Sequence, residues 1–159
     1  MRFEEGYGFA VMRFVASGDP AGEARELRKA ARSLILQPFD PSLSRGSLHV
    51  QLLLGQTVRA MRTGQLLARK AEVDFLMRLA LTDQIQKAIS LAGAKPHGEA
   101  MLLLYGKVED LAHDEGVLAE MGFRRAEGWG TGPERESFAL AERAALLGIG
   151  KGVTGPSVA

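Results

Sequence analysis

The 159-residue sequence contains no cysteine, and this absence excludes several kinds of chemistry at once. Disulfide bonds, thiolate metal ligands and cysteine nucleophiles all require a side chain that the chain lacks. No apolar run approaches the roughly 20 residues that a membrane-spanning helix needs. Glu4 and Glu5 precede a short apolar segment, whereas a signal peptide begins with basic residues and continues with a longer one. We therefore expect a cytoplasmic protein with no membrane segment.

The chain also has no large overall excess of positive or negative charge, since its formal net charge is only +1. The charge is nevertheless unevenly distributed. The span from Arg59 to Lys95 holds seven basic and three acidic residues, whereas the span from His97 to the end holds six basic and ten acidic residues. Such a division fits a protein that binds an anion on one side and a different partner on the other, although solvated charges divided by chance would look the same.

Hydrophobic periodicity predicts an α+β protein, because helices cluster in the middle of the chain instead of alternating with strands. We expect one domain over residues 1–150, with a mixed β-sheet packed against the mid-chain helices, and a flexible C-terminal tail over 151–159. The predicted strands are 7–16, 34–39 and 99–107, and the predicted helices are 20–33, 47–63, 66–81, 82–92, 108–122 and 133–147.

No arrangement of residues typical of catalysis is present. The three histidines, His49, His97 and His113, lie in separate predicted elements and form no pair at metal-ligand spacing. The glycine-rich stretch 148–155 places Lys151 before Gly152, whereas a phosphate-binding loop places its lysine before serine or threonine. We therefore expect a binding protein rather than an enzyme, with no cofactor and no metal.

The segment Thr82–Pro96 raises a separate question, because a helix explains only half of its pattern. Apolar residues recur at Ile85, Ala88, Ile89 and Ala92, which predicts one packed face. The other face is polar, and several basic residues precede or follow it. Such a cluster suits nucleic-acid phosphates, whose counterions are released on contact with lysine or arginine. The cluster consists of Arg69, Lys70, Arg78, Lys87 and Lys95.

The order of these mid-chain motifs resembles the kinase-binding small subunit of the KEOPS complex, the family of the PRPK-binding protein. The features that carry the resemblance are Asp74-Phe75-Leu76, then Gln84-Ile85, Ala88-Ile89 and Gly93 in a helix, and the aliphatic strand from Leu102 to Tyr105. The resemblance is looser over 9–33 and 138–149, and it covers most of the chain outside 108–136 and the tail.

The resemblance implies a non-catalytic regulatory subunit of the machinery that makes threonylcarbamoyladenosine in tRNA. Members of this family bind the atypical kinase/ATPase subunit and support its activity. Archaeal members also help to recruit tRNA by engaging its 3′ CCA end. The implied fold is α+β, and no cofactor is expected.

Two sets of residues would carry these roles by resemblance. This chain has Asp83 where many members have a basic residue, and Asp74 where the family usually has glutamate. For Ile85, packing in the core and contact with RNA are both open. The implied tRNA-binding residues are Arg69, Lys70, Arg78, Gln84, Ile85, Lys87 and Lys95, and the implied kinase-interface residues are Leu140, Arg143, Ala144 and Leu147.

Two alternatives belong to other functional classes. The first is a free-standing RNA-binding module that has no kinase partner. The second is an enzyme that acts on a small molecule in a pocket near His49 and His97. A requirement for the kinase subunit separates the main hypothesis from the first alternative, and a co-purifying ligand or metal would favour the second.

Overall fold

The computed structural model describes residues 3–127, 129–130 and 132–158, and it describes side chains as far as residue 147. The chain forms two compact units, each assembled from separate parts of the sequence. Among the described residues, the sheet unit consists of 3–41 and 93–127, and the helical unit consists of 42–92, 129–130 and 132–158. Both helices and a β-sheet are present, so the predicted α+β class is confirmed.

The sheet unit is built on four described strands in the order β2-β3-β1-β4. Every pairing among them is antiparallel, so the expectation of a mixed sheet was wrong. The strand β3 is buried on both faces from residue 100 to residue 106, which explains why its sequence is a nearly continuous apolar run. The strands are β1 (Tyr7–Val15), β2 (Ile35–Phe39), β3 (Glu99–Lys107) and β4 (Arg124–Arg125).

Two helices, α1 (Pro20–Ala30) and α5 (Val108–Glu120), belong to the sheet unit. One face of the sheet and the apolar sides of these helices form a buried core. Alternation along β1 sends Ala10 and Met12 into this core. The remaining buried members are Leu27, Leu36, Leu102, Leu104, Leu111, Leu118 and Phe123.

Helix α1 ends at Ala30, three residues earlier than its sequence predicts. Ala31 is already extended, with ψ of 147°. The backbone N–H groups of Arg32 and Ser33 donate to the carboxylate of Asp114 on α5, at 2.8–3.0 Å. A contact made 81 residues away in sequence therefore takes the donors that another helical turn would have used.

The helical unit contains α2 (Ser47–Thr63), α3 (Ala71–Ala80), α4 (Ile85–Ala92) and α6 (Glu134–Val158). Helix α2 packs against α3 and α6, and α3 also packs against α4. Gly64 ends α2 in a left-handed conformation with φ of 70°, as its position in the sequence predicts.

The backbone of α6 is helical as far as Val158. This helix includes most of the segment 151–159, for which the loss of apolar periodicity predicts a flexible tail. Extending an existing helix adds one hydrogen bond for each residue that is fixed, so a helix can continue through residues that would not start one. Ala159 lies outside the described residues.

Candidate nucleic-acid interface

Helix α4 presents most of its surface to solvent. The carbonyl of Gln84 accepts the hydrogen bond from the N–H of Ala88 at 2.9 Å, and the Thr82 hydroxyl accepts from the Gln84 N–H at 3.2 Å. Gln84, Ile85 and Lys87 are all exposed. Three of the predicted tRNA-binding residues therefore lie exposed in the first turn of α4 or immediately before it.

The predicted apolar face of α4 is divided in two. Ala88 and Ala92 are fully buried, whereas Ile85 and Ile89 are each 43% exposed. The small alanine side chains allow close helix packing, so the longer isoleucines remain at the margin of the contact. Of the two roles left open for Ile85, packing in the core does not match this exposure.

Arg69 and Lys70 lie at the start of α3, the helix that packs against α4. Both are exposed, so their cationic groups are available to a phosphate. Lys70 adopts the extended conformation that precedes the first turn of α3. These two residues belong to the same helical unit as Gln84, Ile85 and Lys87.

Arg78 does not belong to this surface, and its assignment to tRNA was wrong. Its side chain is only 5% exposed and is paired with Asp74 on the same helix. The Nε atom donates to Asp74 Oδ1 at 2.7 Å, and the Nη2 atom donates to Oδ2 at 3.2 Å. The Nη1 atom donates to Gln56 on α2 at 3.3 Å. A guanidinium held in this way cannot reach a phosphate in solvent.

Asp74 is the centre of a buried polar network. Besides the Arg78 guanidinium, its carboxylate accepts from the Thr57 hydroxyl at 2.5 Å and from the Leu67 backbone N–H at 2.9 Å. Charge-assisted bonds of this kind satisfy a buried ion pair. The Leu67 bond also fixes the backbone before α3, which is why α3 begins at Ala71 and not at residue 66.

Lys95 lies in the sheet unit, in the loop that leads to β3. Its side chain is exposed, and its ammonium group donates to the carbonyl of Gly93 at 3.2 Å. Lys95 and the α4 surface belong to different units, so we do not group Lys95 with that surface.

The residues predicted for the kinase interface have different environments on α6. Ala144 is fully buried in the helical unit, so its assignment to an interface was wrong. Leu140 and Leu147 are half-buried, and Arg143 is exposed.

Two other residues are the most exposed large apolar side chains in the part of α6 whose side chains are described, residues 134–147. Phe138 is 51% exposed and Leu146 is 62% exposed. Their eight-residue separation places both near one side of the helix, with Glu142 midway between them. The apolar pattern of this segment predicts that Phe138 packs with Leu140, Ala141, Ala144 and Leu147, and it does not select Leu146. Periodicity identifies an apolar stripe, but it does not show which part of the stripe a neighbouring helix covers.

The histidines have structural surroundings. His49 is buried, and its Nδ1 atom accepts a hydrogen bond from the Arg45 backbone N–H at 3.0 Å. Burial, with a smaller contribution from the charge of Arg45, lowers the pKa of His49 to about 4. His49 is therefore neutral at pH 7. His97, the other residue of the small-molecule alternative, is exposed and lies in the sheet unit.

Asp114 is a second buried carboxylate. It accepts hydrogen bonds from the hydroxyl and N–H of Ser33 and the N–H of Arg32, and it lies 3.1 Å from the Nδ1 atom of His113. Burial opposes its ionisation, but these hydrogen bonds outweigh burial, so the pKa of Asp114 lies below its usual value. All of its partners are explained by the closure of α1 against α5.

Over the residues that the structure describes, no group of three or more acidic or histidine side chains is placed to hold a metal ion. Within the same described part of the chain, no helix combines the length and apolar character needed to cross a membrane. Comparison with protein-family models and with curated proteins finds no match for this chain. The comparisons therefore assign it to no family.

Proposed function

We propose that this protein is a non-catalytic regulatory subunit of the KEOPS complex in the cytoplasm. It binds the atypical kinase/ATPase subunit and helps to recruit tRNA, through the 3′ CCA end, for threonylcarbamoyladenosine modification. The motif order described above motivates the proposal. The structural observation that supports it best is the exposed start of α4, where Ile85 is 43% exposed and Gln84 and Lys87 are also exposed.

The chemistry of this face suits an unpaired RNA end. An exposed aliphatic side chain can contact the face of an unstacked base, and a glutamine amide can donate to and accept from a base edge. Lys87, with Arg69 and Lys70 at the start of the adjoining helix, supplies positive charge for the phosphates. The proposal therefore rests on apolar, amide and cationic groups within one helical unit and not on a basic cluster alone.

Asp83 opposes this field. It is exposed and directly precedes Gln84, so its carboxylate reduces the positive potential at the start of α4. We expect Asp83→Asn to strengthen tRNA binding and Lys87→Glu to weaken it. Opposite effects from two neighbouring positions would show that the phosphate contact lies at this end of the helix.

The kinase-binding role is assigned to the outer side of α6. Phe138 and Leu146 expose large apolar surfaces there, and Arg143 is exposed on the same helix. Aromatic residues and arginine are enriched in protein interfaces relative to the rest of the surface. A standard interface buries about 800 Å² on each partner, so other residues of the protein must also contribute.

The experiment that tests the RNA assignment is a binding titration with tRNA that has, or lacks, its CCA end. Wild-type protein and the variant Lys87→Glu would be titrated at about 50 and 200 mM salt, the range over which phosphate contacts weaken strongly. Lys107→Glu is the matched control, because Lys107 is also an exposed lysine but lies in the sheet unit.

We expect wild-type binding to require the CCA end and to weaken with salt, and we expect it to be weaker in Lys87→Glu but unchanged in Lys107→Glu. Equal, weak binding of both tRNA forms by the wild-type protein would contradict the RNA assignment. If the protein still bound the kinase subunit in that case, kinase docking would be the only proposed role that remained.

A further inference from the structure

The sheet unit carries a pair of arginines that its fold does not explain. Arg13 on β1 lies directly opposite Arg124 on β4 in the antiparallel register. Side chains at directly opposite positions emerge on the same face, with Cβ atoms about 4.5–5.5 Å apart. Like charges in this arrangement destabilise a sheet. This destabilisation indicates that the pair has a role other than stabilising the sheet.

Neither arginine is neutralised by a carboxylate. Among the described residues, neither Arg13 nor Arg124 forms an ion pair, although both are exposed. The Nη1 atom of Arg124 donates weakly to the adjacent carbonyl of Phe123, at 3.3 Å. Arg125 differs, because it is paired with Glu115 on α5 at 3.3 Å. Of the three arginines on β1 and β4, only Arg125 is therefore neutralised by a described carboxylate.

Both arginines line one concavity of about 410 Å³ in the sheet unit. Its walls include Met101 and Val15, and Val15 is 68% exposed. Ligand pockets typically have volumes of about 300–1,000 Å³. Glu99 lines the same concavity and is the acidic residue among its lining groups. It is opposite Val15 in the register and is not within ion-pair distance of either arginine.

We propose that Arg13 and Arg124 form a phosphate-binding site, with an RNA phosphodiester as the ligand. Each guanidinium carries N–H donors in a planar fork, and such a fork matches the oxygen atoms of a phosphate. Bound phosphate also removes the repulsion between them. Val15 and Met101 supply an apolar wall for the attached ribose or base. The choice of RNA rests on the proposed function, and it adds a contact on the sheet unit to the one on α4.

The test compares the salt dependence of tRNA binding for wild-type protein, Arg13→Gln/Arg124→Gln and Arg25→Gln/Arg32→Gln. The last variant is the control, because it removes two exposed arginines of the same unit that do not line the concavity. Loss of the one phosphate contact that the two arginines share should reduce the slope of log K against log salt by about 0.7 for single-stranded RNA. The control should keep the wild-type slope. Glu99→Gln should increase affinity, since it removes the opposing charge.

We expect Arg13→Gln/Arg124→Gln to fold, because the removal of two like charges does not remove a stabilising contact. A melting temperature that is unchanged or raised would agree with this. Equal slopes for the two double variants would refute the site. The titration of Lys87→Glu tests the α4 contact separately, so equal slopes would not refute that contact.

A second arm uses inorganic phosphate as the probe, at constant ionic strength set with chloride. If phosphate alone raises the melting temperature of the wild-type protein but not that of Arg13→Gln/Arg124→Gln, the arginine pair binds phosphate as proposed. If this occurs while the slope for tRNA is unchanged by the double variant, the site takes free phosphate and the RNA source is refuted.

Discussion

We expect Asp74→Ala to lower the stability of the helical unit much more than the replacement of an exposed acidic residue would. The substitution removes the acceptor for the Thr57 hydroxyl, for the Leu67 N–H and for two donors of Arg78. It also leaves the Arg78 guanidinium, whose side chain is 5% exposed, without a counter-charge.

The magnitude follows from the burial of the pair. Removing one partner of a buried ion pair typically costs about 3–5 kcal/mol. For a chain of this size, each kcal/mol corresponds to a shift of roughly 2–4 °C in Tm, so we expect Tm to fall by about 6–20 °C. Arg78→Met should cost less, because Asp74 would keep its bonds from Thr57 and Leu67.

Urea unfolding followed by circular dichroism measures this loss as a change in the free energy of unfolding. Asp83→Ala is the matched control, because Asp83 is an exposed aspartate of the same unit. Surface substitutions of that kind stay within about 0.5 kcal/mol of wild type. If Asp74→Ala cost less than about 1 kcal/mol, the network would not be holding the helices and Arg78 would again be a candidate for the RNA surface.

The remaining predictions concern pH, the α1–α5 contact and the partner helix. Because burial depresses the pKa of His49 from 6.5 to about 4, the unfolded chain binds a proton more readily. Stability should therefore fall as pH drops from about 6.5 to about 4, by up to roughly 3 kcal/mol, and His49→Asn should remove this dependence while keeping an acceptor for Arg45. Asp114→Ala should cost about 2–4 kcal/mol, measured by urea unfolding, since it leaves several buried donors unpaired. The lowered pKa of Asp114 means that its contribution is present above the unfolded pKa of about 3.9 and is lost as pH falls through the lower, folded value. Leu146→Asp should weaken binding to the kinase subunit at least tenfold in a pull-down or calorimetric titration, because it places a charge on an exposed apolar surface.

Each of these has a clear contrary result. An unchanged pH profile in His49→Asn would assign the acid sensitivity to other groups. A stable Asp114→Ala variant would show that the carboxylate does not join α1 to α5. Leu34→Asp is the control for Leu146→Asp, since Leu34 is 57% exposed but lies in the sheet unit. Equal kinase binding by the two variants would remove the outer side of α6 from the interface.

Arg78 illustrates where prediction from the sequence failed. The i, i+4 spacing of Asp74 and Arg78 was visible and is typical of a helical ion pair. The sequence does not show whether such a pair faces solvent or is covered by another helix. That depended on Gln56 and Thr57 of α2, which contact the pair from 17 or more residues away.

The α4 surface shows the same limitation in the opposite sense. Ile85 fits the helical period for packing, yet it is exposed because Ala88 and Ala92 form the buried contact. Phe138 likewise fits the packing stripe of α6 and is exposed. Ala144 was placed in an interface and is buried. In each case the apolar periodicity was correct. The periodicity does not show how much of the apolar face a neighbouring helix buries.

What the sequence determined by itself was the order and type of the main elements. Strands and helices depend on short-range patterns, such as the apolar run of β3 and the glycine that ends α2, so local physics was sufficient. Tertiary structure alone decided where α1 and α3 begin or end, because Asp114 and Asp74 bind backbone N–H groups beyond their own helices. It also decided which charges were neutralised. A charge is stabilised by whatever lies within a few ångströms, and the sequence does not specify that distance for residues far apart in the chain.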